Sequence, residues 1–599
     1  MFTGLVTFFA LLASTSYAQE LPITETDVFI QSGEVSESSI LIMARCNNEI
    51  DSEVTLLLNG EVSKKDQAFA ARDYTITFKV EGLSSNTKYT YQVTCMPLQE
   101  LTEESTLSSM EGSFTTAPAP TDEVAFNFVW VADLAGQGYG RNPEFELTHV
   151  DGETIKGGYI VFDTMERLQP EFALFQGDLI YADNAIPPIK TIGAALGIAE
   201  AYNWTNNPSK DFVAVTLEEF RDNWKYNFGD EKMQSFLAKT PVFVQWDDHE
   251  VTNNWWPGEV MRGSSAYEEG LAVNSLFANS LQAFYEFNPL ENNQKLYRTQ
   301  RYGKHVEIFF VDYRSYRGPN SDNSNPEGST MMGAEQLAWF KDALQKSTAT
   351  WKIISSHDPF GIVTGGSGDH DAFGQEDPAI LGREVELKGI LELIHNESIT
   401  GVISLTSDVH FTAHVNMHPD RAEGNWTDFV PLDEFVIGPI HSGSFGPNFI
   451  DTSFGAEYVY GTCLCVQYSW SDVCDDFILT HYLFSDILYR VWSPHGWFWA
   501  LGQSSAFPVR FAVLRSRSRC RRWNAWNQTH GYRWSCHVRK DSHSSSRRQQ
   551  GRLAHPRHFL CGYPVCSSCC CSLFGDFLIH LVNFTQKKVL SPNKEHYLK

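Results

Sequence analysis

Residues 240 to 250 read Thr-Pro-Val-Phe-Val-Gln-Trp-Asp-Asp-His-Glu, an apolar run of strand length that ends in two aspartates and a histidine. Gathering such groups at the end of a buried strand costs free energy unless a cation or a reaction needs them. The alternative for this stretch alone is structural, with Asp248 capping the next segment and His249 on the surface. Four similar clusters elsewhere in the chain favour the first interpretation.

Fully apolar runs alternate with helical stretches from residue 125 onward, which predicts an α/β layered domain with ligands at the strand ends. The predicted strands are Ala125–Ala132, Phe172–Gln176, Pro241–Gln245, Val306–Val311, Lys352–Ser355 and Gly401–Leu405, and the predicted helices are Glu335–Gln345 and Glu384–His395. Five strand ends carry Asp or His: Asp133, Asp178, Asp247 to His249, His357 with Asp358, and Asp408 with His410. Together they predict one polynuclear metal site rather than five unrelated clusters of polar residues.

The chain has 599 residues and a formal net charge of -27, which excludes a general nucleic-acid binder because phosphate backbones are held by excess Lys and Arg. An acidic protein still processes phosphate esters when bound cations reverse the local field. The length predicts more than one domain.

The N-terminus predicts secretion. Residues 1–18 form an apolar segment of signal-peptide length that ends in Ser16-Tyr17-Ala18, a small-x-Ala cleavage site, although no basic residue precedes the apolar core. Sequons at Asn203, Asn396 and Asn425 are compatible with a glycoprotein.

Short alternating strands without a helical period occupy residues 23–116, which predicts a small all-β sandwich. In a secreted chain, Cys46 and Cys95 are expected to form a disulfide within it, the alternative being two buried thiols. Ala117-Pro118-Ala119-Pro120 begins a stiff linker over residues 117–123, before a second domain at 124–460.

The last segment, residues 461–599, differs in composition from the rest. Ten of the twelve cysteines lie from Cys463 onward, and arginine is concentrated between Arg510 and Arg557. We favour the interpretation that this tail is not native coding sequence, with a Cys-rich basic tail of its own role as the alternative. Its apolar stretch from Phe559 to Phe584 is broken by polar residues and makes a poor membrane span.

The ligand types indicate the metals. Carboxylates and a phenolate favour Fe3+, Ca2+, Mg2+ or Mn2+, and the imidazoles keep Zn2+ in the set. Two such cations clamp a phosphoryl group while a metal-bound hydroxide attacks in line.

The motif set resembles the five-motif calcineurin-like metallophosphoesterase superfamily. Within it, residues 177–183 (Gly-Asp-Leu-Ile-Tyr-Ala-Asp), 246–254 and 312–317 resemble the PhoD-type alkaline phosphatase and phosphodiesterase family. The Gly-Asp-x-x-Tyr element is also similar to that of purple acid phosphatases, which likewise place a β-sandwich before the catalytic domain. The resemblance covers residues 23–460. It implies a β-sandwich core flanked by helices, preceded by a fibronectin type III-like sandwich.

The resemblance also implies a ligand set. Asp178 would bridge two metal positions, of which the first, expected to hold Fe3+, is completed by Asp133, Tyr181 and His410. The second, where Ca2+ is expected, is completed by Asp248, His357 and Asp408. For Tyr181 the alternative is a core tyrosine with a satisfied hydroxyl, and for His357 a strand-end histidine bonded to backbone.

Three further residues receive roles beside the metals. His249 would donate a hydrogen bond or a proton to the leaving group, while Asn253 or its neighbour Asn254 would orient nearby acids. Arg314 or Arg317 would hold a nonbridging phosphate oxygen, the alternative for Arg314 being a structural partner for a carboxylate. Asp247 is expected to support a ligand rather than to bind metal.

Departures from the family pattern concern the metals. The first motif has Asp133, where the superfamily usually has histidine and PhoD-type enzymes often have cysteine. Asp248 replaces asparagine and Asp408 replaces a histidine, and the added charge favours oxygen-loving cations.

The sequence therefore predicts a secreted metal-dependent phosphomonoesterase or phosphodiesterase with a phosphate ester substrate, without stable nucleic-acid binding or a clear membrane span. Two alternatives stay open: a noncatalytic, metal-stabilised adhesion or binding protein, and a nucleotide or polyphosphate hydrolase.

Overall fold

A computed structural model describes most of the chain before residue 462. The described residues are 28–46, 49–98, 108–135, 146–148, 154–192, 202–205, 210–262, 266–292, 294–366, 370–375, 377–424, 426–443, 446–461, 491–493 and 496–498. The chain divides into two compact units, Met1–Val513 and Leu514–Lys599, and every described residue belongs to the first. The predicted signal peptide, the sequon at Asn425 and nearly all of the tail lie outside the described residues.

Seven strands make up the N-terminal part: β1 (Val28–Gly33), β2 (Ser39–Cys46), β3 (Ser52–Leu58), β4 (Glu61–Ala68), β5 (Thr75–Glu81), β6 (Lys88–Pro97) and β7 (Ser108–Thr115). They form two antiparallel groups, β5-β2-β1 and β4-β3-β6-β7. Cys46 in the first group and Cys95 in the second are joined as a disulfide with a Cα–Cα distance of 5.9 Å, which confirms the predicted pairing.

The first group of strands continues into the second half of the fold. Gly33 at the end of β1 pairs in parallel with Val242, so that the sheet continues from β5-β2-β1 into the strands Val242–Gln245, Phe172–Gln176 and Phe128–Val131, in that order. A side chain at Gly33 would meet the Val242 carbonyl oxygen at 2.4 Å, and this approach therefore requires glycine. The predicted linker is hydrogen-bonded to both halves of the fold. Ala117 N–H donates to the Ser36 carbonyl, and the Pro118 carbonyl accepts from Gly303 N–H.

The remaining strands are β8 (Phe128–Val131), β9 (Glu146–Thr148), β10 (Thr154–Lys156), β11 (Phe172–Gln176), β12 (Ile189–Ile192), β13 (Tyr202–Thr205), β14 (Val242–Gln245), β15 (Arg298–Tyr302), β16 (Val306–Phe310), β17 (Trp351–Ser355), β18 (Val402–Thr406), β19 (Ala413–Met417), β20 (Leu432–Val436), β21 (Ala456–Gly461), β22 (Val491–Ser493) and β23 (Gly496–Phe498). A seven-stranded sheet has the order β15-β16-β17-β18-β20-β19-β21, and its four central strands β16, β17, β18 and β20 are parallel. In the other sheet β8, β11 and β14 are parallel. The remaining pairs, β9 with β10, β12 with β13 and β22 with β23, are short hairpins.

The part of the chain that the structure describes has six α-helices, which lie on the outer faces: α1 (Ile160–Arg167), α2 (Leu217–Phe228), α3 (Glu231–Lys239), α4 (Val273–Phe287), α5 (Gly333–Lys346) and α6 (Glu384–Asn396). Side chains of β11 alternate between two cores: Ala173 and Phe175 pack with α1 to α4, whereas Phe172 and Leu174 pack toward the second sheet. Helices α5 and α6 pack on the far face of that second sheet. The mixed α/β prediction is confirmed, and β11 has the predicted bounds.

Among the described residues, no helix combines the length and the apolar content that crossing a bilayer needs. The sequon residue Asn396 is exposed at the last position of α6, and Asn203 lies in β13.

Candidate metal centre

The carboxyl ends of the parallel strands of both sheets meet at one edge, since glutamine side chains tie the sheets together there. Gln176, the last residue of β11, donates to Ser355 Oγ at 2.8 Å and to the Leu405 carbonyl at 3.0 Å. Gln245, the last residue of β14, donates to the Val311 and Ser355 carbonyls, both at 2.9 Å. Residues that follow these strands are therefore brought to a common site.

Four of the predicted ligands form one group. Ligand atoms of Asp133, Asp178 and His410 lie within 4.8 Å of one another. Tyr181 Oη lies 2.9 Å from His410 Nε2, and Asp133 Oδ1 lies 3.5 Å from that nitrogen. The Gly443 carbonyl accepts from His410 Nδ1 at 2.5 Å, which places the ring hydrogen on Nδ1 and leaves Nε2 as a lone-pair donor. This is the arrangement that a histidine ligand requires.

Asp133 provides a direct test of whether a cation fits. Its side chain is fully buried, and neither carboxylate oxygen has a hydrogen-bond partner among the described residues. A buried carboxylate without partners is costly in free energy, and a bound cation removes that cost. The donor set around Asp133, oxygen atoms plus one imidazole, is one that such a cation accepts.

The backbone at these positions is strained. Asp133, Asp178, Asp408 and His410 have φ of 62°, 53°, 72° and 55°, in the left-handed region that side-chain-bearing residues rarely adopt. Gly177, before Asp178, has φ of 94°. Such conformations cost about 1–3 kcal/mol each and cluster at functional sites.

The second predicted position is represented by Asp248 and Asp408, which lie with Asp247 in a group whose ligand atoms are within 4.8 Å of one another. Asp178 and Asp248 form a further such group with His249. Asp248 accepts hydrogen bonds from the backbone N–H of His249 at 2.9 Å and of Asn254 at 2.7 Å. Asp178 is thus a member of one group with Asp133 and of another with Asp248.

The crowding of acids changes their pKa values. Burial and the neighbouring carboxylates raise the pKa of Asp133, Asp178 and Asp408 well above the ordinary range of aspartate. Burial opposes the ionisation of Asp248, but His249 and Arg314 outweigh it and lower its pKa. Positive charge from bound cations would favour the ionised form of the first three acids.

His249 lies beside the metal-binding groups with its side chain 14% exposed. Its Nδ1 lies 2.7 Å from Asp183 Oδ1, and its ring stacks on Tyr181 at 4.1 Å between centroids. Burial opposes the charged imidazolium, but Asp183 and Asp248 outweigh it and raise the pKa of His249 to about 10. The Asp183 contact leaves Nε2 as the nitrogen available to a substrate.

Asn253 and Asn254 contact acids through their backbone rather than their side chains. Asn253 N–H donates to Asp183 Oδ2 at 2.8 Å, and Asn254 N–H donates to Asp248 Oδ2 at 2.7 Å. Each asparagine thus contributes one backbone hydrogen bond to an acid, and the acid that Asn253 contacts is the one bonded to His249.

His357 lies slightly apart from the other predicted ligands. Its Nε2 accepts the Tyr313 backbone N–H at 3.2 Å, and its Nδ1 lies 2.8 Å from Asp247 Oδ1 and 3.2 Å from Asp358 Oδ2. This Nε2 contact matches the alternative of a strand-end histidine bonded to backbone.

Arg314 is fully buried, and its guanidinium group is surrounded by carboxylates. Its Nε donates to Asp247 at 2.6 Å, its two terminal nitrogens donate to Asp371 at 2.9 and 2.8 Å, and one of them also donates to Asp358 at 3.4 Å. Arg317, equally buried, donates to Asp358 and Asp371. These contacts match the alternative for Arg314, a structural partner for carboxylates.

Glu250 joins two of the ligand-bearing turns. It is fully buried, and its carboxylate accepts the backbone N–H of Asp178 at 3.0 Å, of Leu179 at 2.7 Å and of Asp247 at 2.8 Å. The turns after β11 and β14 are thereby held together.

Several site residues had no role assigned to them on the basis of sequence. Asp183 and Glu250 lie inside the quoted motifs, two residues after Tyr181 and one after His249, so their position was a usable signal. Asp371 lies in a loop without periodicity, and nothing local distinguishes it from a surface aspartate.

Comparison with known proteins relates the chain to one phosphatase family. Residues 128–462 match the family described as PhoD-like phosphatase. Alkaline phosphatase D of Bacillus subtilis (strain 168) is 26% identical over 309 residues, which are 48% of this chain and 49% of that protein, so the chain spans about half the length of this curated relative. The solved structure of PhoD is similar with a TM-score of 0.52 at 21% identity, covering 69% of this chain and 77% of that one, and this likeness concerns the fold alone.

Proposed function

The chain belongs to the PhoD-like phosphatase family, and from that premise we propose that it is a metal-dependent phosphoester hydrolase acting on phosphate monoesters, diesters or both. One observation supports the proposal above all others. Carboxylates from separate strand ends converge around Asp133, whose buried oxygens have no hydrogen-bond partner among the described residues.

Two metal positions are proposed. Asp133, Asp178, Tyr181 and His410 would hold one ion, for which the oxygen-rich set with a phenol suggests Fe3+. Asp178, Asp248 and Asp408 would hold the other, with Ca2+ as the proposed ion, and Mg2+, Mn2+ or Zn2+ as substitutes. When bound, such cations supply charge that neutralises phosphoryl oxygens and lowers the pKa of water.

His249 is proposed as the proton donor to the leaving alkoxide. The short contact from Nδ1 to Asp183 fixes the ring and favours its protonated form, while the stacked ring of Tyr181 limits rotation. Asp183 and the backbone of Asn253 act as positioning groups for this histidine.

For Arg314 we favour an organising role. Its bonds to Asp247, Asp358 and Asp371 oppose direct use of the same fork on a phosphate oxygen. In this role the guanidinium group compensates negative charge beside the metal ligands Asp248 and Asp408, each 3.8 Å from Arg314 Nη2.

The remaining proposals concern the whole chain. The two antiparallel groups of strands and the disulfide between them support a fibronectin type III-like domain over residues 23–116, with the catalytic domain at 124–460. The disulfide also supports secretion, because such bonds persist in oxidising compartments, and exposure of Asn396 is compatible with glycosylation. No observation favours the adhesion module or the nucleotide and polyphosphate hydrolase as a second function.

The test uses the full-length protein with nitrophenyl phosphate and bis-nitrophenyl phosphate. Dialysis against a chelator is expected to abolish hydrolysis, and return of metal is expected to restore it. Asp133→Asn should lower metal content and activity together, whereas Asp342→Asn on the exposed face of α5 should change neither. Hydrolysis that continues after elemental analysis finds no metal would disprove the proposal.

A further inference from the structure

Helix α2 buries two asparagines, Asn223 and Asn227, that are four residues apart and therefore on the same side of the helix. Most of the buried positions of α2 carry large apolar side chains, including Phe220, Trp224 and Phe228. A buried amide is costly in free energy unless its hydrogen bonds are made. The partners of these two amides indicate their purpose.

Asn227 bonds to two ligand-bearing turns at once. Its Nδ2 donates to the Leu134 carbonyl at 3.3 Å and to the Leu179 carbonyl at 2.7 Å. These carbonyls directly follow Asp133 and Asp178. The Tyr159 hydroxyl donates to Asn227 Oδ1 at 2.7 Å, which fixes the orientation of the amide.

Asn223 reaches a third ligand through the buried side chain of Lys210. Its Oδ1 accepts from Lys210 Nζ at 2.5 Å, and the same Nζ donates to the Tyr181 carbonyl at 3.0 Å. Lys210 is almost fully buried. Its backbone is bonded to the segment that follows Tyr181, since Ile186 N–H donates to the Lys210 carbonyl. The backbone of Tyr181 is thereby attached to α2.

We propose that α2 is the positioning element for one metal position of the centre, the one formed by Asp133, Asp178, Tyr181 and His410; this rests on the proposed function. Asn227 acts on the first two ligands and the Asn223–Lys210 pair acts on the third. These are positioning residues, because their contacts are with the backbone of the ligand-bearing turns, directly for Asn227 and through Lys210 for Asn223, and not with the substrate or the metal.

Two observations support the assignment of α2 to this metal position. Asp133 and Asp178 have left-handed backbones, and such strain persists only where the surrounding structure holds it in place. The bonds of Asn227 fall on the carbonyl groups of Leu134 and Leu179, the residues that immediately follow those strained residues. Asp248 has different support, from the backbone of His249 and Asn254. Because Asp178 is shared between the two positions, disturbing α2 should weaken the first metal position, three of whose ligands it supports, more than the second, where it supports only Asp178.

The test compares Asn227→Ala with Asn288→Ala in the full-length protein. Asn288 is an equally buried asparagine whose Nδ2 donates to the Phe284 carbonyl of its own helix α4 at 2.9 Å. It thus serves as a control for the loss of a buried amide bond. Both variants are dialysed against the metals found in the wild-type protein, and metal content, visible absorption and melting temperature are recorded.

Asn227→Ala is expected to weaken the metal at the first position by about 10–100-fold, the usual effect of removing a partner that orients a ligand, and to weaken the second metal less. Asn288→Ala should lower the melting temperature while keeping both metals. Equal metal binding in the Asn227 variant and the wild type would overturn the proposal. It would also be overturned if Asn227→Ala and Asn288→Ala lost both metals to the same extent.

If Asn227→Ala does not fold, Lys210→Met takes its place. This variant is expected to change the visible absorption of the Tyr181–metal complex. An unchanged spectrum would overturn the proposal. Failure of the proposed function has a different signature. In that case the wild-type protein itself holds no metal and hydrolyses neither ester, whereas failure of the present proposal leaves wild-type metal and activity intact.

Discussion

The hydroxyl oxygen of Tyr181 lies 2.9 Å from Nε2 of His410, although 229 residues separate them in the chain. Tyr181 follows β11 in one sheet and His410 follows β18 in the other. Because burial and the nearby carboxylates of Asp178 and Asp133 raise the pKa of Tyr181, a neutral phenol is favoured until a cation compensates these charges. The pair thus forms a contact between the sheets that metal binding would change.

Tyr181→Phe should remove one metal and leave the fold intact. The phenyl ring keeps the stack on His249, but the oxygen ligand is lost. We expect loss of the broad visible band of a tyrosine–Fe3+ complex and a reduced iron content, measured by absorption spectroscopy and elemental analysis. A wild-type protein that is colourless and free of iron would reject Fe3+ at this position.

Asp183→Asn should lower kcat by about 10²–10⁴-fold with little change in metal content, because the acid that holds His249 loses its charge. Loss of that charge also lowers the pKa of His249, so the fraction of protonated histidine at alkaline pH falls. Steady-state kinetics of both esters measure the effect.

The control is Asp163→Asn, which removes an aspartate from the surface of α1. It should leave kcat unchanged. Wild-type turnover in the Asp183 variant would exclude His249 as the proton donor in the form proposed.

Gly177→Ala should reduce both metal binding and stability. Alanine at φ of 94° is strained, and its Cβ would also lie 2.5 Å from Asp247 Cβ. Gly258→Ala isolates the first effect, since Gly258 has φ of 86° but no heavy atom within 4 Å of the methyl group that alanine would add. The backbone strain alone costs about 1–2 kcal/mol. In a denaturant titration, we expect the Gly177 variant to lose distinctly more free energy of unfolding than this. Equal losses of free energy in the Gly177 and Gly258 variants would show that the clash with Asp247 is relieved.

Much of the layered domain is predictable from sequence because its central strands are buried on both faces. Phe172–Gln176 reads as an uninterrupted apolar run and has those bounds in the structure. The ends of such strands also indicated Asp133, Asp178 and Asp408, since polar groups after a buried strand are a local signal. Helices α2 and α3, which the sequence analysis did not predict, have local signals as well, a Thr216–Glu219 capping box and an Asp230 cap.

Other parts of the site depend on contacts that no local pattern encodes. Asp371 contacts Arg314 across 57 positions, and only the packing of two loops determines that pairing. The pairing of Gly33 with Val242 likewise depends on tertiary packing. It joins the N-terminal strands to the parallel strands β14, β11 and β8. The support of the ligand turns by Asn227 is of the same kind.

Stability should depend on pH through Glu384 and Asp451. Burial first, and then the charge of Asp451, raise the pKa of Glu384 well above the usual value for glutamate, and burial raises the pKa of Asp451 as well. The folded protein therefore retains a proton that the unfolded chain releases above pH 4.5. The contribution of this pair to folding stability is therefore greatest below that pH and declines as the pH rises toward the elevated folded-state pKa.

Glu384→Gln should remove much of that decline, because the amide is neutral and still accepts from Gln375. We expect melting temperatures a few degrees above wild type at pH 8 and a smaller difference at pH 5, measured by circular dichroism. Glu397→Gln, at an exposed site just after the same helix, serves as the control. Parallel pH curves for Glu384→Gln and the wild type would contradict the assignment of this proton.

Arg314 distinguishes an organising role from phosphate binding. Its removal in Arg314→Met leaves Asp247 without an arginine partner and Asp358 and Asp371 with Arg317 alone, and breaking such a buried pair costs about 3–5 kcal/mol. Arg314→Lys, which keeps the charge but loses the planar fork, should fall between that variant and the wild type. Arg167→Met removes an exposed partner of Asp163 and should cost at most about 1 kcal/mol. Denaturant titration together with KM for both esters decides the question: a phosphate-binding arginine would raise KM at unchanged stability, whereas the organising role requires a large loss of stability.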